Sequence, residues 1–483
     1  MNPMKLFNKL GTVSRASILL AVFHSLSRLV GLLRDRILAS RFGASDILDV
    51  YYAAFNIPDF VFNLLVVGAV SSAFIPVFIG KNQGSTSLGI PSFSKVELRT
   101  GKQGRTSRDR RSDLRDRISK QGQLLANNFL NVLFIFVAVA VVVLFFFVPP
   151  LVGLVAPGFA GPKKELAILF TRVMLLSPLI FSVSVVLGSV LQSLNRFLAY
   201  AFAPIAYNLG IIFGALVLEP KFGPLGLAEG VVLGAFLHLA VQASAVWRAG
   251  FKWKVVFDFA GEGMRKIFKL MLPRTIGLAA AQINTIVLYA LASLMPAGAV
   301  AIYSFANNLQ FVPIALVGIS IATASFPTLS RKALAEDKKE FIGQLKQDLK
   351  RTIFLVVPFS ILVFLFRNEI VRLILQAGQF SALNVLQTGR VLGFFTVGVW
   401  GQSIVPTLSR AFYALQDTKT PVALSIVSVA VNILLAFYFT RFGLAGWQMG
   451  VEGLALAFSL AGILNAVLLL VFLKRKIVRH PAD

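Results

Sequence analysis

The residues best placed for chemistry are charges inside apolar sequence. Residues 27–76 read SRLVGLLRDRILASRFGASDILDVYYAAFNIPDFVFNLLVVGAVSSAFIP. Two apolar segments joined at Phe42-Gly43 carry Arg28, Arg34, Asp35, Arg36, Asp46, Asp49 and Asp59. An arginine near a bilayer centre costs roughly 2.5–3.5 kcal/mol even on the lenient insertion scale. It persists there when it faces a water-filled cavity, a counter-ion or a substrate. The chemistry is therefore binding, and arginine's planar fork suits phosphate. On a helix Arg28 and Asp35 share one face, and Ser27 and Arg34 share another. Arg28 and Arg34 lie about 9 Å apart along the axis, so they can flank one extended anion but not clamp a single oxygen pair. The plainer reading is that Arg34, Asp35 and Arg36 sit at the far membrane surface and only anchor the helix.

Other residues extend this set. Asp49 opens the second segment, where it could neutralise an arginine or bind a cation. Asp59 follows Pro58, and a proline inside a helix frees a carbonyl and bends the chain into a cavity shape. Asn63 follows one turn later. His24 lies one turn before Arg28 and either lines the same cavity or is merely packed. Arg172, Arg274 and Arg390 also fall in apolar sequence. Arg274, after Pro273, can snorkel to the surface. Arg390 lies within a long apolar run and stays a cavity candidate.

Covalent catalysis has no matching pattern. The histidines His24, His238 and His480 are scattered, there is no cysteine, and no HExxH, P-loop or GxSxG motif occurs. The reading is a transporter and not an enzyme. It needs no cofactor and would draw on a proton or monovalent-cation gradient, or on the membrane potential.

The elements that must hold these charges are membrane helices. Of 483 residues, 57% are hydrophobic and 14% charged, too few polar groups to cover a soluble protein of this size. The expected fold is an all-α polytopic membrane protein with about twelve spans, each crossing ~30 Å of hydrocarbon. They fall near 16–39, 46–79, 124–148, 164–193, 198–218, 226–247, 268–293, 298–329, 352–375, 385–414, 420–440 and 449–473. The opening MNPMKLFNKLGTVSRASILL is basic then apolar, with no small-residue cleavage site after it, and reads as part of an uncleaved first span.

The net charge of +26 fits either nucleic-acid binding or the bias of basic residues toward cytoplasmic loops. The charge sits between hydrophobic segments, which favours the second reading and no nucleic acid. Lys and Arg concentrate before the first span, in 81–123, 248–269 and 330–351, and after the last span. The connections near 43, 150–163, 219–224, 294–297, 376–384 and 441–448 are short and poor in charge. Both termini are thus expected in the cytoplasm. Residues 81–123 read as a disordered basic insertion, either plainly solvated or lying against anionic lipid. Residues 248–270 mix aromatic and basic side chains and read as interfacial.

The two halves echo each other. Leu191-Gln192 pairs with Leu415-Gln416, and Asn208 with Asn432. YAAFNIPDF at 52–60 matches YSFANNLQF at 303–311 loosely. Six segments separate the members of each pair, so the repeats share orientation. Two six-helix lobes related by a pseudo-two-fold axis along the membrane normal follow. They comprise an N-terminal lobe at 1–247, a connector at 248–267 and a C-terminal lobe at 268–483. Substrate would bind between the lobes.

At this point the motifs resemble a known family. The 27–60 stretch followed by GAVSSAFIPVF is similar to the opening of the MurJ/MviN family, within the multidrug/oligosaccharidyl-lipid/polysaccharide exporter superfamily. APGF at 156–159, Pro204–Asn208, LPRTIGLAAAQIN at 272–284, FPTLSR at 326–331 and SRAFYALQDTKTP at 409–421 continue the likeness. The resemblance implies a bacterial inner-membrane flippase. Its cargo would be lipid II, the undecaprenyl-pyrophosphate-linked disaccharide-pentapeptide of peptidoglycan, moved outward by alternating access. By motif, Arg28 and Arg34 match cavity arginines and Asp49 an acidic residue of the second span.

Departures follow too. Phe62-Asn63 stands where the family often has an arginine pair, Val67 where it has Glu, and Asn307-Asn308 where it has Asp-Arg. Asn63 and Asn308 would then line the cavity with neutral donors. The chain is expected to end after its twelfth span, without two further helices that many relatives carry. Two rival readings stay open. One is an exporter of another polyprenyl-linked glycan or an amphipathic drug. The other is a transport-dead scaffold recruiting cell-wall synthesis proteins.

Overall fold

The computed structural model describes residues 12–67, 70, 74–82, 118–259, 261–335, 337–444 and 448–479. All but the ends of the basic 81–123 insertion, and His480, lie outside the described residues.

The fold is all-helical. In order the helices are α1 Thr12–Phe42, α2 Asp46–Ala54, α3 Asn56–Val61, α4 Ile75–Asn82, α5 Lys120–Val155, α6 Gly161–Met174, α7 Leu176–Ser193, α8 Phe197–Phe213 and α9 Glu219–Phe222. They continue with α10 Leu225–Arg248, α11 Glu262–Ser293, α12 Ala299–Pro313, α13 Ser320–Leu334, α14 Lys338–Leu365, α15 Arg367–Leu375, α16 Ala382–Ala414, α17 Lys419–Phe442 and α18 Val451–Arg479. Among the described residues nine helices are long and apolar enough to cross a membrane, or ten if α14 and α15, bent by 80° at Phe366, form one broken span. The first and seventh expected spans fall in α1 and α11, which carry several charges each.

Two expectations change. The 330–351 stretch is largely helix rather than loop. The Asp337 side chain accepts the Glu340 N–H at 2.9 Å and so starts α14 well before its apolar part. Phe341 and Leu345 then bury against Leu329, Leu408 and Phe412. The repeat pairing also shifts. α7 and α16 both end in a turn with one left-handed residue, Asn195 (φ 58°) and Gln416 (φ 57°). In each turn the following amide reaches back to close the helix, Arg196 N–H to Leu191 O and Asp417 N–H to Phe412 O. The turns therefore pair Leu194, not Leu191, with Leu415, three residues from the sequence match.

Among the described residues, π-helical stretches at Phe62–Val67, Gly214–Leu218 and Ile314–Ile319 interrupt the spans. The first and third follow the two stretches that echo each other in sequence. Such wide turns leave carbonyls without their usual partner and concentrate at functional places. Arg410 answers one of them, donating to Ile319 O at 3.4 Å and to Thr323 Oγ1 at 2.8 Å.

The chain divides into two compact units. The first comprises Met1–Arg34, Ile57–Val148 and Leu169–Leu278; the second comprises Asp35–Asn56, Pro149–Ile168 and Ala279–Asp483. Stretches 35–56 and 149–168, from the N-terminal half of the sequence, thus fold with the C-terminal half. In the second unit, α18 carries Lys476 to Asp417 at 2.6 Å, tying the last helix to the α16–α17 turn. Burial alone would raise the Asp417 carboxyl. The Lys476 ammonium and the Thr420 N–H and hydroxyl outweigh it and hold that carboxyl at about 2.

In the first unit, α8 and α10 meet through glycines. A Cβ on Gly210 would lie 2.3 Å from Gly234 Cα, and one on Gly214 2.5 Å from Gly230 Cα. Small residues four apart let two backbones touch, which is how helices associate where lipid removes any hydrophobic drive. Gly230→Val must push the helices apart and should lower stability by about 1–3 kcal/mol or more. Gly343→Ala, where the added Cβ meets nothing within 4 Å, should be neutral. Thermal melts in detergent compare the two.

Candidate functional site

The charged first helix is divided by the boundary between the two units, which falls between Arg34 and Asp35. Each side is built separately.

In the first unit Arg28 and Arg34 are both half-buried on α1. Arg34 donates through Nη1 to Asn208 Oδ1 at 3.0 Å. The Asn208 amide is itself fixed, since its Nδ2 donates to Pro204 O at 3.0 Å. Its oxygen therefore faces the guanidinium. Ser27 is half-buried, and His24 is exposed with Nδ1 2.7 Å from Leu20 O of its own helix. Asp59 is exposed, and Asn63 is half-buried in the first π-helical stretch. Arg172 lies over the Phe145 ring at 5.0 Å, a contact that offsets part of a cation's burial cost.

In the second unit the polar residues of 35–56 bind helix ends. Asp49 is buried and accepts from Gly298 N–H at 2.8 Å and Ala301 N–H at 3.0 Å. These amides belong to the first turn of α12, so Asp49 caps that helix from another segment. A carboxylate there satisfies orphan donors and complements the positive helix end. Lys163 adds its ammonium at 2.8 Å to Asp49 and 2.5 Å to Asp46, and rests over the Phe159 ring at 4.4 Å.

Arg36 does the converse. Its Nη1 donates to Leu373 O at 2.6 Å and Ile374 O at 3.1 Å, at the C-terminal end of α15. Between these two contacts, Gln379 N–H donates to Ser40 O at 2.7 Å. Asp35, also buried, accepts from Asn308 Nδ2 at 3.0 Å.

Close approach needs glycine here. Gly43 has φ 60°, and a Cβ on it would lie 2.7 Å from Gln379 O. A Cβ on Gly158 would fall 1.9 Å from Ser293 O, and one on Gly298 2.4 Å from Ala44 O. The connections near 43, 150–163, 294–297 and 376–384, four of the six charge-poor ones of the sequence, thus meet in one seal inside the second unit.

Of the residues singled out by sequence, Asp49 and Asn308 fall in this second unit and both take part in contacts to other segments. Arg390 falls there too, exposed on α16. Arg28, Arg34, Ser27, His24, Asp59 and Asn63 fall in the first. Asp49 pairs with a lysine where an arginine was expected. Lys163 went unnoticed because its connection was taken as poor in charge. A lysine beside a connection expected on the non-cytoplasmic side breaks the positive-inside bias, and that was the available signal. Asn208 was seen as part of a repeat but not as a partner of Arg34.

A family model described as "Lipid II flippase MurJ" matches residues 38–483. The "Lipid II flippase MurJ" of Burkholderia cenocepacia is 29% identical over 486 residues, covering 99% of this chain and 86% of the relative. The "Probable lipid II flippase MurJ" of Buchnera aphidicola is 27% identical over 87% of this chain and 78% of the relative. A solved structure named "Lipid II flippase MurJ, inward closed conformation" superposes with a TM-score of 0.75 at 25% identity, over 96% of this chain and 89% of that one. An inward-facing multidrug resistance transporter of the MATE family superposes with a TM-score of 0.72 at 14% identity, over 94% of this chain and 95% of that one, and shares the fold.

The Asp49–Lys163 pair makes a direct prediction. Lys163→Met and Asp49→Asn should each lower the melting temperature. Each should cost less than the ~3–5 kcal/mol of breaking a fully buried pair, because Lys163 keeps some solvent contact. The double variant should lose less than the sum of the singles, since no buried charge is then left unpaired and the exposed Asp46 turns to water. Strictly additive losses in a double-mutant cycle would show that the two do not act together.

Proposed function

The chain belongs to the lipid II flippase MurJ family, and from that premise we propose that it carries lipid II from the inner to the outer leaflet of the bacterial plasma membrane. It works by alternating access without ATP hydrolysis, with both termini in the cytoplasm. It performs transport and no covalent chemistry, coupled to a proton, a monovalent cation or the membrane potential.

The observation that carries the reading is the polar seal of the second unit. It brings together four of the six connections that the charge bias assigns to the outer side. It is made of helix-end contacts, one lysine bridging two carboxylates, and close backbone approaches. Such contacts can part and be re-formed with water as partner, unlike a continuous apolar core. A flippase loading from the cytoplasm needs its outer side shut in this way, and must open it to release cargo.

Arg28 and Arg34 take the pyrophosphate in this account. Asn208 holds the Arg34 guanidinium in position, so less side-chain entropy is lost when the anion arrives. Asn308, where the family often carries a cation, binds Asp35 instead. The carboxylate is thereby satisfied without adding positive charge. This observation favours a second reading, in which the cargo is another polyprenyl-linked glycan.

Arg28→Ala and Arg34→Ala, alone and together, should abolish rescue of cells depleted of their own lipid II flippase. In proteoliposomes they should cut the flipping of labelled lipid II at least tenfold. Full rescue and full flipping by the double variant would end the pyrophosphate reading. Wild-type protein that flips another polyprenyl-linked glycan but not lipid II would establish the second reading.

A further inference from the structure

A segment unused by this account lies at the end of α10. The helix closes on Gly250, whose φ of 86° is left-handed. Gly250 N–H donates to Trp247 O at 2.9 Å and Phe251 N–H to Val246 O at 3.2 Å. This double closure caps the carbonyls and turns the chain sharply out of the helix. Phe251 is buried as the anchor of the turn. Residues 251–258 are not helical; they run along α5, and side-chain amides of that helix hold them.

The ladder is regular. Gln123 Nε2 and Asn127 Nδ2 both donate to Lys252 O, at 2.9 and 3.0 Å. Asn127 Oδ1 accepts the Lys254 N–H at 3.0 Å. Asn131 Nδ2 donates to Lys254 O at 2.9 Å and Val256 O at 3.2 Å. Asn128 closes the end, donating to Asp258 O and accepting Asp258 N–H, both at 2.7 Å. Gln123, Asn127 and Asn131 are four apart and share a helix face. Four helical residues rise about 6 Å, close to the ~6.6 Å that two extended residues span. Every second backbone unit of the strap therefore meets the next amide.

Backbone outside a helix is costly at a membrane because its N–H and C=O groups lose water. The ladder satisfies six of these groups, which leaves the strap's side chains for another use. Trp253, Val255, Phe257 and Phe259 all point to solvent, Trp253 and Val255 at 60% and 64% exposure. Lys252 and Lys254 are exposed between them. The Trp253 indole N–H is fixed to Asn131 Oδ1 at 3.0 Å, so the ring cannot fold away. Trp247, in the last turn of the span that precedes the strap, is also exposed. Tryptophan beside lysine at a span's end is the chemistry of a membrane–water boundary, with the ring among headgroups and the ammonium on phosphate.

We infer that residues 251–259 form a rigid lipid-docking strap, which seats its odd-numbered apolar side chains in the headgroup layer and binds anionic lipid phosphate through Lys252 and Lys254. The occupant is the bilayer surface. The alternation of large apolar and cationic groups complements an anionic leaflet, and the pinned backbone presents both at once. The strap leads directly into α11 and fixes where that helix enters the membrane.

The chain contains no cysteine, so single cysteines at 252, 253, 254, 255 and 257 can carry an environment-sensitive fluorophore in the otherwise intact protein. The labelled proteins are reconstituted in phosphatidylcholine vesicles with or without phosphatidylglycerol. Labels at 253, 255 and 257 should emit in the blue and be quenched several-fold more strongly by shallow spin-labelled lipid than labels at 252 and 254. Phosphatidylglycerol should deepen that quenching, and Lys252→Gln/Lys254→Gln should return it to the phosphatidylcholine level. Asn131→Ala should erase the two-residue alternation. Equal, water-like emission at every position would overturn the proposal, and the scan in otherwise unaltered protein decides this even if Asn131→Ala fails to fold. Shielding of 255 from aqueous iodide without any quenching by lipid would also overturn it and point to a peptide partner.

Discussion

A carboxylate shut away from water must find its full complement of partners in the protein, and the second unit is organised around meeting that demand at Asp49. Two amides of the first turn of α12 and the Lys163 ammonium surround it. Gly298 is needed because the chain must turn with φ 86° while passing Ala44 at a distance no side chain would allow. Gly158 is needed because its backbone abuts Ser293. Arg36 answers the opposite end of another helix, α15, with the opposite charge. Helix ends supply the orphan donors and acceptors, and the charged residues of 35–56 supply what those ends lack. That reciprocity is why so many charges can sit in an apolar segment. In the proposed cycle it would also let the seal open, since each contact would be exchanged locally for water without the loss of a packed core.

The chain's connectivity says where motion would be absorbed. Five helices, α1, α3, α5, α6 and α11, pass from one compact unit into the other. In α5 the passage falls at Val148-Pro149, beside Pro150, where two prolines in succession remove helical hydrogen bonds. In α11 it falls at Leu278, next to Gly277. In α3 it falls at Asn56-Ile57, in the first turn and just before Pro58 and the π-helical stretch. In α3, α5 and α11 a proline or glycine thus lies beside the boundary, where a helix bends most easily. In α1 the passage separates Arg34 from Asp35. The proposed pyrophosphate ligands thus belong to one unit, and the charges of the seal to the other.

Much of this was legible in the sequence, for definite reasons. Apolar runs long enough for a bilayer mark the helical fold, and the basic loops supply the sidedness assumed in the proposed function. The charges of the first two segments stood out because a membrane tolerates charge only where something answers it, and Arg34, Asp35, Arg36 and Asp49 each have a partner in the structure. Their partners were not legible. Asp49 reaches α12 and Arg36 reaches α15 across most of the chain length, and backbone amides and carbonyls leave no mark in the sequence. Lys163 and Asn208 were visible as residues but not as partners. The glycines of α8 and α10 were different, since their four-residue spacing stood in plain view and needed only to be read. The early start of α14 was missed because its basic residues masked the buried Phe341 and Leu345.

The claim on which the account turns is that the contacts of residues 35–56 with the C-terminal half part during transport. A disulfide between Ser40→Cys and Gln379→Cys, whose backbones are hydrogen-bonded, would hold them together in a chain that has no other cysteine. The measurement is lipid II flipping by the reconstituted double variant, first oxidised and then reduced. The account predicts that flipping stops when the bridge is closed and returns when it is reduced. Undiminished flipping by fully bridged protein would contradict it.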